Sequence, residues 1–300
     1  MSETLKIVDA HHHLWDLGAN YYPWLHDEPN AGFFLGDYEV LKRDYLPPDY
    51  RSDADGLEVV KTVHCEAEWD RNNQVGETRW LTEVAARYGM PNAIVAHAWF
   101  HTENSYAVLE AQSQFSMVRG IRSKPVTSAT PEAKVSGQPG AMDDPRWREG
   151  FAALREFGFS WDLRVPHWHL TEAAEVVAEH PDIPVVLNHT GFPWDRSPAG
   201  LTAWRDGMRV LAECEHVWLK VSELGLKDQP WDAESNRIVV REAVEIFGIH
   251  RCMFASNFPV SGLRVGYPQL VADMRAYLSD LSVAEMQGFF HDNACEFYRI

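Results

Sequence analysis

The chain has 300 residues, of which 45% are hydrophobic, and carries a formal charge of −17 at pH 7. This length and apolar content suffice for one large domain, and we expect residues 1–300 to form it. The negative charge argues against nucleic acid or an anionic membrane surface as a partner, since both require basic patches. A small anionic substrate needs only a few local cations and stays possible. With no apolar stretch of membrane-spanning length and no signal-peptide core at the start, we expect a cytoplasmic protein.

Short apolar strands alternate with helical patterns along nearly the whole chain. The predicted strands are 5–10, 59–65, 92–98, 117–121, 160–165, 184–188, 217–221 and 252–255. Helices are predicted between most of them, and a helical tail follows, at 73–88, 106–115, 146–157, 171–179, 201–213, 232–247, 268–278, 283–290 and 293–298. Such alternation predicts parallel strands joined by crossover helices, and eight units fit an α/β fold of the (β/α)8 TIM-barrel type.

Two connections are long, residues 15–51 after the first strand and 123–144 after the fourth. Both would emerge at the carboxyl ends of the strands, where barrel enzymes build their sites. The first connection is rich in aromatic residues, which need burial, so we expect it to be ordered and to cover the site. We predict that Tyr22 and Trp24 of this connection contact the substrate.

The first predicted strand ends in three consecutive histidines, His11, His12 and His13. Successive side chains on a strand point to opposite faces, so His11 and His13 share one direction and His12 takes the other. Such a pair can hold a divalent metal such as zinc, or it can grip a substrate with no metal. His189 follows the sixth predicted strand and would join them on the same rim. This gathering of imidazoles fits either a metal site or a general acid–base site.

Other charged groups follow the neighbouring strands. Arg122 and Lys124 would share a direction and face an anionic group of the substrate, although Lys124 is equally consistent with a surface charge. Glu66 follows the second strand and is either a catalytic carboxylate or a solvated loop charge. His101 follows the third strand and is predicted to contact the substrate.

These residues fall within an ordered set of motifs. The stretch 9–16, Asp-Ala-His-His-His-Leu-Trp-Asp, resembles the opening motif of the lactonase-type branch of the amidohydrolase superfamily. That branch includes L-fuconolactonases, L-rhamnonolactonases and 2-pyrone-4,6-dicarboxylate lactonases. Further similar segments follow in order through nearly the whole chain, at 22–25, 43–47, 119–122, 188–193, 220–224, 256–259 and 292–294.

The resemblance implies a (β/α)8 barrel that hydrolyses a small cyclic ester, a lactone derived from a sugar acid or an aromatic compound. The family's paired histidines correspond to His11 and His13, and its sixth-strand histidine corresponds to His189. In some members these histidines bind a divalent metal, and in others they polarise the lactone carbonyl without one. The resemblance therefore implies an enzyme acting on a carboxylic ester bond, with or without a metal.

One position departs from the family pattern. The last-strand aspartate, which takes a proton from the attacking water, is Asn257 here. An amide has no basic site near neutral pH, so Asn257 can orient a water but cannot act as the general base. The candidates for a replacement base are Glu66, His64, His101 and His189.

The same departure keeps two other hypotheses open. A metal-dependent decarboxylase or isomerase of the superfamily needs no hydrolytic water, and a catalytically silent barrel needs no base at all. The sequence also leaves open the identity of the substrate, the presence of a metal and the oligomeric state, with a homo-oligomer among the alternatives.

Overall fold

The computed structural model describes residues 5–300. Its core is one sheet of eight parallel strands whose spatial order follows the chain order. The strands are β1 Lys6–His12, β2 Glu58–Cys65, β3 Ala93–Ala96, β4 Val118–Ile121, β5 Ser160–Leu163, β6 Val185–Leu187, β7 Val217–Val221 and β8 Cys252–Phe254. Each overlaps its predicted strand, and the (β/α)8 TIM-barrel fold is confirmed.

Helices lie between the strands, and all but the first two, which are short and belong to the first long connection, overlap predicted helices. They are α1 Pro23–His26, α2 Pro47–Asp53, α3 Gly76–Tyr88, α4 Ser105–Ser113, α5 Pro145–Ala152, α6 Leu154–Phe157, α7 Leu170–Ala178, α8 Pro198–Ala212, α9 Ala233–Phe247, α10 Tyr267–Tyr277, α11 Val283–Gln287 and α12 Asn293–Tyr298. The predicted helix 146–157 is two helices that meet at Ala153, and the tail changes to a π-helical turn over Gly288–Asp292. Among the helices of residues 5–300, none has the length and apolar character needed to cross a bilayer.

Side-chain caps fix where several helices begin. Asp144 accepts a hydrogen bond from the Arg146 amide at the start of α5, and Asp232 accepts one from the Ser235 amide at the start of α9. These bonds satisfy amides that have no partner within the helix. Helix α3 ends at Gly89, whose φ of 73° is the left-handed conformation that glycine adopts without strain.

The barrel closes where the first strand meets the segment that follows the last one. The His13 amide donates to the Phe258 carbonyl at 2.8 Å, and the Asn257 amide donates to the His11 carbonyl at 2.7 Å. The buried carboxylate of Asp9 strengthens this seam, because it accepts from both the amide (2.8 Å) and the hydroxyl (2.6 Å) of Ser256. Residues separated by almost the full length of the chain are thereby held side by side.

The inside of the barrel is filled mainly by small and β-branched side chains, and the C-terminal helix α12 packs against them through Phe297 and Tyr298. One ion pair lies within this interior. Lys220 Nζ on β7 is 2.5 Å from the Asp162 carboxylate on β5, and both side chains are fully buried. The Tyr298 hydroxyl and the Asn188 amide also donate to Asp162. Both carboxylate oxygens of Asp162 therefore accept a hydrogen bond.

An irregularity in β1 determines which of its histidines face the site. The pairing of β1 with β2 shifts register between Asp9 and His12. Asp9 reaches the tyrosine hydroxyls of the helical layer, and Ala10 packs inside the barrel. Beyond the shift, His12 packs on Tyr50 at a ring-centroid separation of 4.8 Å. His11 and His13 consequently point away from the helical layer, as the alternation of side chains predicts.

Candidate active site

A cavity of about 480 Å³ opens at the carboxyl ends of the strands. Aromatic side chains of the first long connection, Trp24, Phe33 and Phe34, form part of its wall. Its polar lining combines two imidazoles, two amides, two carboxylates and four cationic side chains, namely His13, His189, Asn30, Asn257, Glu28, Glu68, Arg71, Arg122, Lys124 and Arg164. The cavity thus brings together groups from six different strand ends.

His11 contacts both of the other predicted site histidines, His13 and His189. His11 Nε2 and His13 Nε2 are 3.3 Å apart, and the rings of His11 and His189 have their centroids 4.6 Å apart. Burial lowers the pKa of His13 to about 3, and nearby Arg122 adds to this effect. Burial likewise places the pKa values of His11 and His189 well below the usual range. All three imidazoles are therefore neutral at physiological pH.

Backbone and hydroxyl partners orient two of these rings. His13 Nδ1 lies 2.7 Å from the Cys65 carbonyl oxygen. A carbonyl only accepts, so the neutral ring carries its proton on Nδ1 and presents a lone pair at Nε2. His189 Nδ1 lies 3.1 Å from Ser222 Oγ, which leaves Nε2 of His189 for the cavity.

Arg122 and Glu66 form a buried pair beside the histidines. Arg122 Nε donates to Glu66 Oε1 at 2.7 Å, and Arg122 Nη1 lies 3.5 Å from His11 Nε2. The other carboxylate oxygen of Glu66 accepts from Arg71 at 2.9 Å and from the Glu68 amide at 3.0 Å. Burial would raise the pKa of Glu66, but Arg71, Arg122 and Lys124 together hold it well below its usual range. The geometry therefore favours Glu66 as an anchor for cations over Glu66 as a base.

Arg164 differs from the other three cations of the cavity in its contacts. It lies above the ring of Phe192, with its guanidinium carbon 5.0 Å from the ring centroid. Within residues 5–300 its side chain forms no ion pair and no hydrogen bond, whereas Arg71, Arg122 and Lys124 each pair with Glu66 or Glu68. Burial lowers the pKa of Arg164 to about 10, which still leaves it charged at neutral pH. Among the four cations of the lining, Arg164 is the one without an ion pair in the described residues.

Asn257 links the histidines to a second carboxylate. Its Oδ1 lies 3.1 Å from His13 Nε2, while its Nδ2 donates a hydrogen bond to Glu223 Oε2. Glu223 follows β7, and burial raises the pKa of its carboxyl group to about 7. The carboxyl group of Glu223, with a pKa near neutrality, thus lies directly behind the Asn257 amide.

Most of the predicted site residues meet at the cavity, but two do not. The cavity is lined by Trp24, Arg122, Lys124, Asn257, His13 and His189, and His11 and Glu66 lie directly behind this lining. Tyr22 is fully buried and packs edge-on against Trp69 instead, at 5.3 Å between centroids. His101 lies against Trp99 and the loop at Gly140, outside the cavity lining. The prediction that Tyr22 and His101 contact the substrate does not agree with these positions, because the first loop turns Tyr22 into the core and a segment beyond β3 carries His101 away.

Another base candidate is also displaced from the cavity. His64 packs edge-on against His12 and His13, and its Nε2 lies 3.3 Å from the Leu14 carbonyl oxygen. Two groups that the sequence prediction did not select take part instead, Arg164 and Glu223. Arg164 and Glu223 follow the ends of β5 and β7. Their position after a predicted strand was the feature of the sequence that could have identified them as site residues.

The donor set allows a test of whether a divalent cation fits. Two imidazole nitrogens that share a tetrahedral zinc at about 2.0–2.1 Å lie roughly 3.3 Å apart, and His11 Nε2 and His13 Nε2 have this separation. The His11–His13 pair therefore fits two ligands of a metal ion. A separate grouping of His11, Cys65 and Asp162 fits less well, because Lys220 already neutralises Asp162.

The chain is similar to known proteins along nearly its whole length. The Amidohydro_2 family model, described as Amidohydrolase, matches residues 8–300. The chain is 39% identical to an uncharacterized protein, y4mH, of Sinorhizobium fredii over 99% of both chains. It is 27% identical to an L-fucono-1,5-lactonase of Burkholderia multivorans over 98% of this chain and 96% of that one.

Among crystal structures, an amidohydrolase from Burkholderia multivorans with bound HEPES has a TM-score of 0.80 and 26% identity, covering 98% of this chain and 99% of that one. The similarity to the lactonase-type branch is thereby confirmed along the whole described length. The chain belongs to the amidohydrolase family.

Proposed function

We propose that this enzyme hydrolyses a small lactone that carries an anionic group. The observation that carries the proposal is the meeting of His11, His13, His189 and Asn257 at the floor of a cavity with cationic walls. The similarity to an L-fucono-1,5-lactonase supports hydrolysis of a cyclic ester.

The charges of the wall support an anionic substrate. Four cations line the cavity, against three carboxylates, those of Glu28 and Glu68 in the lining and that of Glu66 behind it. This local excess of positive charge stands out in a chain of net charge −17. Arg164 is free to donate two parallel hydrogen bonds to a carboxylate of the substrate.

The ester carbonyl would lie between Arg122 and the neutral ring of His189. Arg122 already donates toward His11 and is held rigidly by Glu66, so it is preorganised to stabilise negative charge on the carbonyl oxygen. Fixed donors of this type lower the barrier because they need no reorganisation during the reaction, and the loss of one costs about 10²–10³ in kcat.

The attacking water would bridge His13 Nε2 and Asn257 Oδ1, which lie 3.1 Å apart, from the cavity side. Both atoms accept hydrogen bonds, so they hold the hydrogens of the water and leave an oxygen lone pair for the carbonyl carbon. As the new C–O bond forms, one proton moves to His13 Nε2. It then passes to the ring oxygen when the ester C–O bond breaks, and the product is a hydroxy acid.

A bound divalent metal is compatible with this site. His11 and His13 would hold it, with His189, whose ring lies beside that of His11, as the third candidate ligand, and it would supply Lewis-acid polarisation of the carbonyl and of a water. The chain's own contribution is the same in either case: it keeps the three imidazoles neutral, orients them and excludes bulk water with the aromatic wall.

The experiment is a panel of lactones, including sugar-acid lactones and pyrone carboxylates, assayed by acid release with chelated and with zinc-loaded protein. We expect turnover of at least one anionic lactone and a loss of about 10²-fold or more in kcat for His189→Ala. His12→Leu is the matched control, because His12 belongs to the same histidine run but faces away from the cavity.

Two outcomes would contradict the proposal. Release of carbon dioxide from an aromatic acid, with no lactone turnover, would favour a decarboxylase. No turnover of any panel member by folded protein, with equal behaviour of wild type and His189→Ala, would favour a silent barrel.

A further inference from the structure

The amide of Asn257 is held by a buried carboxylate. Glu223 Oε2 accepts from Asn257 Nδ2 and, at 3.1 Å, from Ser261 Oγ. The other oxygen, Oε1, is buried and has no hydrogen-bond partner in residues 5–300. None of the interactions described above for the reaction uses this carboxylate, so its role needs a separate explanation.

We propose that Glu223 is a positioning residue, whose carboxylate turns the Asn257 amide so that Oδ1 faces His13 and the attacking water. The Glu223–Asn257 pair would then position the attacking water, and the proton of that water would go to His13. This inference rests on the proposed lactone hydrolysis.

The argument starts from the two ends of an amide. Nδ2 and Oδ1 have nearly the same shape, so the surrounding hydrogen bonds decide which way the group points. An ionised carboxylate only accepts, and Glu223 must therefore face Nδ2 of Asn257. Oδ1 is then left 3.1 Å from His13 Nε2, as an acceptor for the water.

Protonation of Glu223 would reverse this arrangement. The carboxyl group would donate to Oδ1, and Nδ2 of Asn257 would turn toward the lone pair of His13 Nε2. The water would lose both of its acceptors at once. The active orientation thus requires the ionised form of Glu223.

The backbone holds both residues where this pairing needs them. Glu223 and Asn257 have φ values of 53° and 55°, in the left-handed region that residues other than glycine seldom adopt. The Ser261 amide donates to the Asn257 carbonyl at 3.0 Å, and a side chain at Gly225 would come within 3.3 Å of Glu223 Oε1. Such conformations persist where surrounding contacts impose them, often at functional sites.

The charged groups around Glu223 set the pH range of the effect. Burial raises its pKa, whereas its bonds from Asn257 and Ser261 and the charges of Arg164 and Arg264 lower it, and the result is about 7. Arg164 follows β5 across the cavity, and Arg264 follows the 3-10 turn after β8. Since the pKa of His13 is about 3, an acid limb of activity near neutral pH points to Glu223.

The experiment compares two substitutions of Glu223 over a range of pH. Glu223→Gln keeps an acceptor for Asn257 Nδ2 but cannot ionise, so we expect kcat at pH 8 within about fivefold of wild type and no acid limb near pH 7. Glu223→Leu removes the acceptor, and the amide then turns to His13. We expect kcat to fall about 10²-fold or more with little change in KM, because Nδ2 of Asn257 then occupies the lone pair of His13 that accepts the proton.

A double variant tests the pair itself. Glu223→Leu with Asn257→Asp restores a carboxylate at position 257 without a like charge beside it, and we expect it to recover most of the lost kcat. An unchanged acid limb in Glu223→Gln, or wild-type kcat in Glu223→Leu, would overturn the inference.

An infrared titration decides the point without substrate. Buried Glu77, whose pKa is raised to about 8, gives one protonated-carboxyl band in both proteins. We expect a second band that appears as the pH falls through about 7 in wild type and is lost from the difference spectrum of Glu223→Gln. If no lactone is turned over and the second band is present, the proposed function fails while the carboxylate–amide pair stands. If the second band is missing from wild type, the inference fails whatever the activity.

Discussion

The buried ion pair inside the barrel gives a sharp test of what holds the strands around the site. Lys220 and Asp162 have no exposed side-chain surface and lie 2.5 Å apart. Asp162→Asn removes the negative charge and leaves an ammonium group in an apolar interior. Tyr298 and Asn188 still find a carbonyl oxygen on the new side chain, so the main loss is the charge partner of Lys220.

The expected magnitude follows from the cost of an uncompensated buried charge. Breaking a buried pair by removing one partner costs about 3–5 kcal/mol, whereas replacing both partners by uncharged groups is often neutral. We therefore expect Asp162→Asn to lower the free energy of unfolding by about 3–5 kcal/mol. The double variant Asp162→Asn/Lys220→Met should lie within about 2 kcal/mol of wild type.

The assay is urea unfolding followed by tryptophan fluorescence, which the 12 tryptophans make sensitive. Both single variants and the double variant complete a thermodynamic cycle. A loss below about 1 kcal/mol in Asp162→Asn, or a double variant less stable than both singles, would show that the pair does not stabilise the barrel in this way.

Three further predictions concern the cavity and its surroundings. Arg164→Gln should raise KM for a lactone with a carboxylate by about 10–100-fold and leave KM for a neutral lactone unchanged; equal increases would contradict the assigned contact. Neutral, buried His12 contributes stability that is present above pH 6.5 and is lost as the pH falls toward its folded-state pKa of about 4. His12→Leu should reduce this acid-induced loss by about 3 kcal/mol in urea titrations at pH 7 and pH 4, and an unchanged loss would refute the assignment. Zinc added to chelated protein should raise Tm of wild type but not of His11→Gln, and an equal rise in both would place the metal elsewhere.

The fold followed from the sequence because its signals are local. Each strand is a short apolar run and each main helix an amphipathic one, so alternation alone indicates the barrel. The boundaries that differ have local causes as well. The predicted helix 146–157 breaks at Ala153, and the tail after α11 passes through a π-helical turn, neither of which changes the spacing of apolar residues.

The site could be predicted only in part, since chain position does not show which side chains find partners. His11, His13, His189 and Asn257 follow strands or end them, and the barrel brings them together. Tyr22 could not be placed from sequence, because its direction depends on how a 37-residue connection folds back on itself.

The charged residues were harder still to interpret. Glu66 and Glu223 are both glutamates just after a strand, yet the first is surrounded by cations and the second by an amide and a hydroxyl. Only the packed structure distinguishes an anchored carboxylate from one that titrates near neutrality.

The seam between β1 and the segment after β8 affects how the protein can be made. A ribosome releases the amino-terminal end first, so residues 9–13 emerge long before residues 256–258, with which they pair. Until those late residues appear, the first strand has an open edge and its histidines have no amide opposite them. Catalytic competence should therefore arise only at the end of translation, and a nascent chain stalled short of Asn257 should be inactive however many helices it has already formed.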